Sequence, residues 1–374
     1  MKMRFMAVAV CAALGLVACG SDDANQPAVT PLGSVEFTDT PAPATLDEIS
    51  KTYTKSSVKL TYSDGRVREA PLAYNVLFSV KDPVAEVNGN KHPAGQLYNY
   101  KMEPLLDPMG NPLVAETPDA NSLLKIDGKL FLVTHYEYDW LLSDGSVAWT
   151  APGWYTRAPM SMTLSDIVQG SDGKLTATKV RPIDFSGVNG IWIPCFGSQT
   201  PWNTHLGSEE DYDLIYNPLD SKNYGTTTAG LKAMRELYFK GEREANPYHY
   251  GIIPEVTVKA DGSTGVVKHY AMSRGTWEQA LLMPDGRTAY LGDDGAYVQM
   301  TMFVADKYGD LSAGTVYTAK WNQTGDQNGG SADLTWIKLG HGTNAEIKAL
   351  ADRLTFDDIF SAVAPANGQC PQGF

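Results

Sequence analysis

Hydrophobic positions fall mostly in short runs that suit β-strands: Val58-Lys59-Leu60-Thr61-Tyr62, Lys129-Leu130-Phe131-Leu132-Val133, Lys174-Leu175-Thr176-Ala177-Thr178, Glu255-Val256-Thr257-Val258 and Thr315-Val316-Tyr317-Thr318-Ala319-Lys320-Trp321. Asp-Gly or Asn-Gly pairs at 64, 88, 127, 144, 172, 189, 261, 285 and 294 punctuate them, the dipeptides that accept the positive φ of tight hairpins. Repeated short strands with tight turns predict an all-β sandwich, barrel or propeller. The length of chain given over to such strands favours the radial repetition of a propeller. Two stretches carry helical spacing instead. Ala229 to Lys240 is short, and Asn344 to Val363 places Ile347, Leu350 and Leu354 on one face behind a Thr343 cap. Neither suffices for an α/β enzyme, so they read as short helical insertions.

The other apolar run, Phe5 to Ala18, follows Lys2 and Arg4 and ends at Leu16-Val17-Ala18-Cys19-Gly20. It is too short for a permanent membrane span, and Ser21, Asp22 and Asp23 follow at once. The pattern predicts a lipoprotein signal peptide over residues 1–18, cleavage before Cys19 and lipidation of Cys19. A diacylglyceryl group with an N-acyl chain anchors firmly where a single acyl chain would not. This places the protein in the cell envelope, lipid-anchored, on the periplasmic side or surface of the outer membrane. Residues 19–48, rich in Pro, Asp, Thr and Ala, read as a flexible tether, and residues 49–374 as the folded domain.

Charge narrows the partners. The formal net charge is −13, and losing Lys2 and Arg4 with the leader makes the mature chain more acidic still. Nucleic acid is excluded, because phosphate backbones call for basic patches. An anionic small molecule would need bound cations to invert the local potential. Nothing in the sequence calls for a partner subunit, so a monomer is expected.

Of four cysteines, Cys11 leaves with the leader and Cys19 is spent on lipid, which leaves Cys195 and Cys370. A thiol kept mid-chain in an oxidising compartment is either buried and inert or metal-bound. Around Cys195 the segment to Asp211 offers a thiol, His205 and the acids Glu209, Glu210 and Asp211. Clustered carboxylates repel one another and need a cation or solvent. Thiolate with carboxylates suits iron, whereas carboxylates with carbonyls suit calcium. A Cys195–His205 nucleophile–base pair is the weaker alternative. The other histidines are scattered without ligand spacing, the tryptophans suit β-core packing, and Asp293-Asp294-Gly295 suits either calcium or a turn.

This constellation resembles the PhoX-type alkaline phosphatases. Cys195, Thr200-Pro201-Trp202-Asn203-Thr204 and the paired Glu209-Glu210 match that family's most specific block. Ala271-Met272-Ser273-Arg274-Gly275-Thr276-Trp277-Glu278 and the continuation from Leu282 to Asp294 form a second match. The resemblance spans roughly residues 125 to 345. It implies a β-propeller, an iron and calcium site, and hydrolysis of phosphate monoesters. Carried over by position, Cys195 is a thiolate ligand to iron, Glu210 and Glu278 are carboxylate ligands, and Glu209 and Glu137 are further candidates; no catalytic residue is assigned. The rival from another class is a non-catalytic propeller lipoprotein that binds calcium or a partner through the same loops. Two departures stand out. Thr134-His135-Tyr136-Glu137 lacks the family's asparagine, and no counterpart of its Arg-x-Glu-Gly-like element occurs before Phe374. The second implies a fragment, or a shortened member with an incomplete propeller and site.

Overall fold

The structure, a computed structural model, describes residues 30–51, 53–210, 229–295, 298–359, 361, 363 and 369. The expected leader and Cys19 lie outside the described residues. The chain divides into two units, Met1–Asn75 and Val76–Phe374.

In the first unit, β1 (Leu32–Phe37), β2 (Ser57–Tyr62) and β3 (Val67–Pro71) form an antiparallel sheet in that order, with a short helix α1 (Leu46–Ile49) between β1 and β2. The tether expected over 19–48 is therefore corrected: part of it is a strand. Its partner explains why. Val35 pairs with Leu60 and Phe37 with Val58, so the alternation of β1 matches that of β2 across the ladder. The Pro-rich stretches on either side hid that match. The folded part also divides near residue 75, where one domain from residue 49 was expected.

In the second unit the strands run in consecutive antiparallel meanders, except that Ala85–Val87 joins Leu175–Pro182 in parallel. One sheet has the order β5-β4-β9-β8-β7-β6, built from β4 (Ala85–Val87), β5 (Asn90–His92), β6 (Pro118–Ile126), β7 (Lys129–Tyr136), β8 (Ser161–Gln169) and β9 (Leu175–Pro182). The next is β10 (Ser198–Gln199), β11 (His205–Leu206), β12 (Ile253–Val258) and β13 (Thr264–His269). The last is β14 (Trp277–Leu282), β15 (Thr288–Asp293), β16 (Met300–Lys307), β17 (Asp310–Gly325) and β18 (Ser331–Thr343). Every segment read as a strand lies in one of these sheets. The fold is mostly β, in propeller-type meanders, and among the described residues no sheet closes on itself.

The turns work as their sequences imply. Asn88-Gly89 and Asp127-Gly128 take positive φ at both positions, the two-residue hairpin geometry. At Asp144, Asp172, Asp261 and Asp285 only the glycine is left-handed, and the aspartate accepts the backbone N–H two residues on. The meanders pack through their apolar faces. Leu124, Phe131, Val133, Met162 and Leu164 meet Val256 and Val258, while Leu206 and Ile253 meet Trp277, Ala280, Leu291 and Phe303. β10 thereby lies beside both β6 and β14, so the leading strands of three meanders converge.

The helices are shorter than their spacing suggests. α2 (Ala229–Ala233) runs into a wider turn over Met234–Tyr238 and ends at Lys240, which takes φ 57°. α3 (Asn344–Ala351) starts at the expected Thr343 cap, whose side chain accepts from Glu346 N–H. The helix expected to Val363 breaks because Asp358 caps Thr355, accepting from both its N–H and its hydroxyl at 2.8 Å, and so starts α4 (Phe356–Ile359).

Candidate metal centre

The site lies where those three strands meet. Cys195 sits in the extended segment before β10, laced to its neighbours by backbone bonds. Phe196 N–H donates to Glu278 O at 3.1 Å, Glu210 N–H to Ile193 O at 3.1 Å, and Trp277 N–H to Glu209 O at 3.0 Å. Ser208 Oγ donates to Glu278 O at 3.0 Å. The chain enters this segment through Asn189 and Gly190, both left-handed. A Cβ on Gly190 would sit 2.9 Å from the Met234 and Tyr238 side chains, so only glycine fits. Ile193, a β-branched residue, is held at φ 39°, a strained conformation beside the thiol.

Two groups of side chains share the sulfur. Ligand atoms of Cys195, Glu210 and Glu278 lie within 4.8 Å of one another, and so do those of Asp119, Glu137 and Cys195. Cys195 Sγ is 3.4 Å from Glu278 Oε1. Cys195 and Glu210 are buried, while Asp119 and Glu278 reach solvent. Burial, then Glu210, Glu137, Asp119 and Glu278, push the thiol far above its ordinary range. Burial also raises the Asp119 and Glu137 carboxyls, and the negative neighbours add to it: Glu278 for Asp119, and Asp119 with Glu278 for Glu137. A thiol and four carboxyls gathered this closely are a donor set whose mutual repulsion a cation would relieve.

The polar groups behind this cluster are, by contrast, closed off. Glu209 pairs with Lys268 Nζ at 2.8 Å, both side chains being fully buried. Its oxygens also accept Trp192 N–H at 2.9 Å and Ile252 N–H at 3.1 Å, while Lys268 donates to His249 O at 2.9 Å. Glu209, a sequence candidate, therefore does not join the cluster; it ties the Cys195 segment to β13. His205 does not pair with the Cys195 thiol either. His135 Nδ1 lies 3.0 Å from Cys195 O, its Nε2 meets His205 Nε2, and His205 Nδ1 lies 2.7 Å from Ser122 Oγ. A carbonyl only accepts, so His135 carries its proton on Nδ1; His205 then donates through Nε2 and accepts from Ser122, and both rings are neutral. Burial lowers both, His135 to about 4.

The signature segment from Thr200 to Thr204 proves architectural. It forms the turn between β10 and β11, and Trp202 Nε1 donates to Glu255 Oε1 at 2.7 Å. Asp293, at the end of β15 opposite Trp277, accepts Thr276 N–H at 2.9 Å. Sequence reasoning missed Asp119, on β6. Its proximity to Glu137 comes from the β6–β7 pairing of Pro118 with Tyr136 and the irregularity that follows, which no local pattern announces.

With this geometry in hand, comparison with known proteins is decisive for kinship. The profile described as alkaline phosphatase PhoX matches residues 159–365, more than half the chain. The chain belongs to the PhoX alkaline phosphatase family. The matched stretch contains Cys195, Glu210 and Glu278, whereas Asp119 and Glu137 precede it. Among solved structures, Pseudomonas fluorescens PhoX in complex with vanadate, a transition state analogue, is similar at 20% identity and a TM-score of 0.50, over 71% of this chain and 55% of that one. The chain thus spans little more than half that PhoX structure, and the likeness supports the shared propeller-type fold. A Bacillus megaterium levansucrase variant (11% identity, TM-score 0.24, 79% and 76% covered) and a Bacteroides fragilis 6-phosphogluconolactonase described as putative (16%, 0.19, 64% and 89%) are too distant to bear on it. No curated protein matches.

Proposed function

We propose that this chain is a metal-dependent phosphatase that hydrolyses phosphate monoesters outside the cytoplasm, held at the envelope by lipid on Cys19 and working as a monomer without nucleic-acid partners. The observation that carries the reading is the sharing of Cys195 by two acidic groups, one of which, Cys195 with Glu210 and Glu278, lies within the region that matches the PhoX family. Membership of a metal-dependent family supports bound cations, and the donor chemistry fits them. Cys195, with Glu210 and Glu278, suits iron; the oxygen-rich side with Asp119 and Glu137 suits calcium. Bound metals would supply Lewis-acid stabilisation of phosphoryl charge and an activated oxygen nucleophile.

The chain's own residues set up that chemistry. Glu210 and Cys195 are fixed by the ladder bonds on either side, so their donor atoms are positioned before any cation arrives. Tyr138 Oη donates to Glu210 Oε2 at 3.5 Å and orients it. The bond from His135 Nδ1 to Cys195 O holds the sulfur's backbone in place. Asp119 and Glu278 face solvent, on the side open to an entering ester.

The test is to purify the mature chain, measure bound iron and calcium, and follow release of a chromogenic phenol from its phosphate ester with and without chelator. Bound metal and chelator-sensitive turnover are expected, with a loss of about a hundredfold or more in Cys195→Ser. A metal-free chain with no turnover would overturn the reading. Intact-mass analysis of the N-terminus tests the anchor separately.

A further inference from the structure

The segment after β7 carries more than Glu137. Tyr138 stands against Glu210 through its hydroxyl. The chain then makes a small hairpin, with Leu142 N–H donating to Ser146 O at 3.0 Å and Ala148 N–H to Trp140 O at 2.9 Å. This return sets the Trp149 ring 4.3 Å from Trp140, which is itself 5.4 Å from Tyr138. A latch completes the arrangement. Asp139, whose carboxyl burial pushes up to about 7, accepts Ala158 N–H at 3.2 Å and so draws Arg157 alongside. The Arg157 guanidinium lies 4.1 Å from the Tyr138 ring centre and 5.7 Å from that of Trp149. Both indoles stay partly open, Trp140 at 36% and Trp149 at 37% exposure.

An arginine engaged through its flat faces bonds along its edge, the geometry that matches phosphate oxygens. Open indoles offer flat apolar faces that favour aromatic rings. Here both features stand one tyrosine away from a member of the thiol–carboxylate cluster. We propose that Tyr138, Trp140, Trp149 and Arg157 form the leaving-group subsite. It takes esters with a planar aromatic or heteroaromatic moiety, the indoles facing the ring and Arg157 the anionic phosphoryl end. The inference rests on the phosphatase reading and adds substrate class to it.

The test compares adenosine 5′-monophosphate with ribose 5-phosphate on the metal-loaded full chain. Both esters break the same kind of bond, and only the first carries a ring system. The subsite predicts a KM about tenfold lower for the nucleotide. Trp149→Ala should shrink that advantage by raising KM more for the nucleotide than for ribose 5-phosphate. Arg157→Gln should raise KM for both, and Arg157→Lys should restore it in part. Equal KM values in the unmodified protein, or equal losses on both esters in Trp149→Ala, would overturn the inference. If neither ester turns over, the phosphatase reading fails, and equilibrium binding followed by tryptophan fluorescence decides the subsite. Tighter binding of the nucleotide supports it, and equal affinity refutes it.

Discussion

Glu209 and Glu210 share a peptide bond and are both buried, yet they belong to opposite regions of the molecule. Glu209 faces a fully closed set of partners: Lys268 and two backbone N–H groups. Glu210 faces a thiol, another carboxylate and one tyrosine hydroxyl. In extended chain, neighbouring side chains point to opposite sides, so two adjacent acids cannot serve one cluster from the same face. A buried charge with its partners in place is architecture. A buried group of like charges gathered round one thiol calls for a cation.

The largest effect should come from breaking the closed side. Glu209→Gln leaves Lys268 charged and buried without its counter-ion, a loss of about 3–5 kcal/mol. Chemical denaturation should show it, and Glu209→Leu combined with Lys268→Met should recover much of it. A single variant as stable as the parent would erase the distinction between the two regions.

Next in size is acid. His135 and His205 are neutral when folded and titrate near 6.5 when unfolded, so unfolding takes up protons as pH falls. Their contribution is fully present above pH 6.5 and is lost on acidification, for His135 down to about 4. The drop for His135 alone is about 3 kcal/mol. Denaturation midpoints measured from pH 8 to pH 4 should fall steadily, and a flat profile would contradict the neutral pair.

The smallest stability effect belongs to the open side. Glu210→Gln removes one of the like charges facing Cys195, so the metal-free chain should change by less than about 1 kcal/mol or become slightly more stable. Cation affinity should fall about tenfold or more in the same variant. A strongly destabilised metal-free variant would place Glu210 with Glu209 as a structural acid.

Much of this was legible in the sequence. Strand positions followed from short apolar runs, and the turns from Asp-Gly and Asn-Gly pairs, because these signals are local. The convergence of Cys195, Glu210, Glu278 and Glu137 followed from family-like motifs rather than from periodicity. What stayed hidden depends on distant partners. Lys268 decides the role of Glu209 from far along the chain. Asp119 becomes a neighbour of Glu137 only through strand register, and Leu32–Phe37 becomes a strand only because β2 offers it a matching ladder.

The most direct test of the cation account is the melting temperature of the chelator-stripped chain as iron or calcium is added back. A ligand that binds only the folded state raises stability in proportion to the logarithm of its concentration. Melting should therefore climb with added metal in the parent chain. It should climb more at higher pH, where the raised acids Asp119 and Glu137 release their protons, and it should be blunted in Asp119→Asn and Glu210→Gln. A stripped chain that melts at the same temperature with and without either metal would contradict the account.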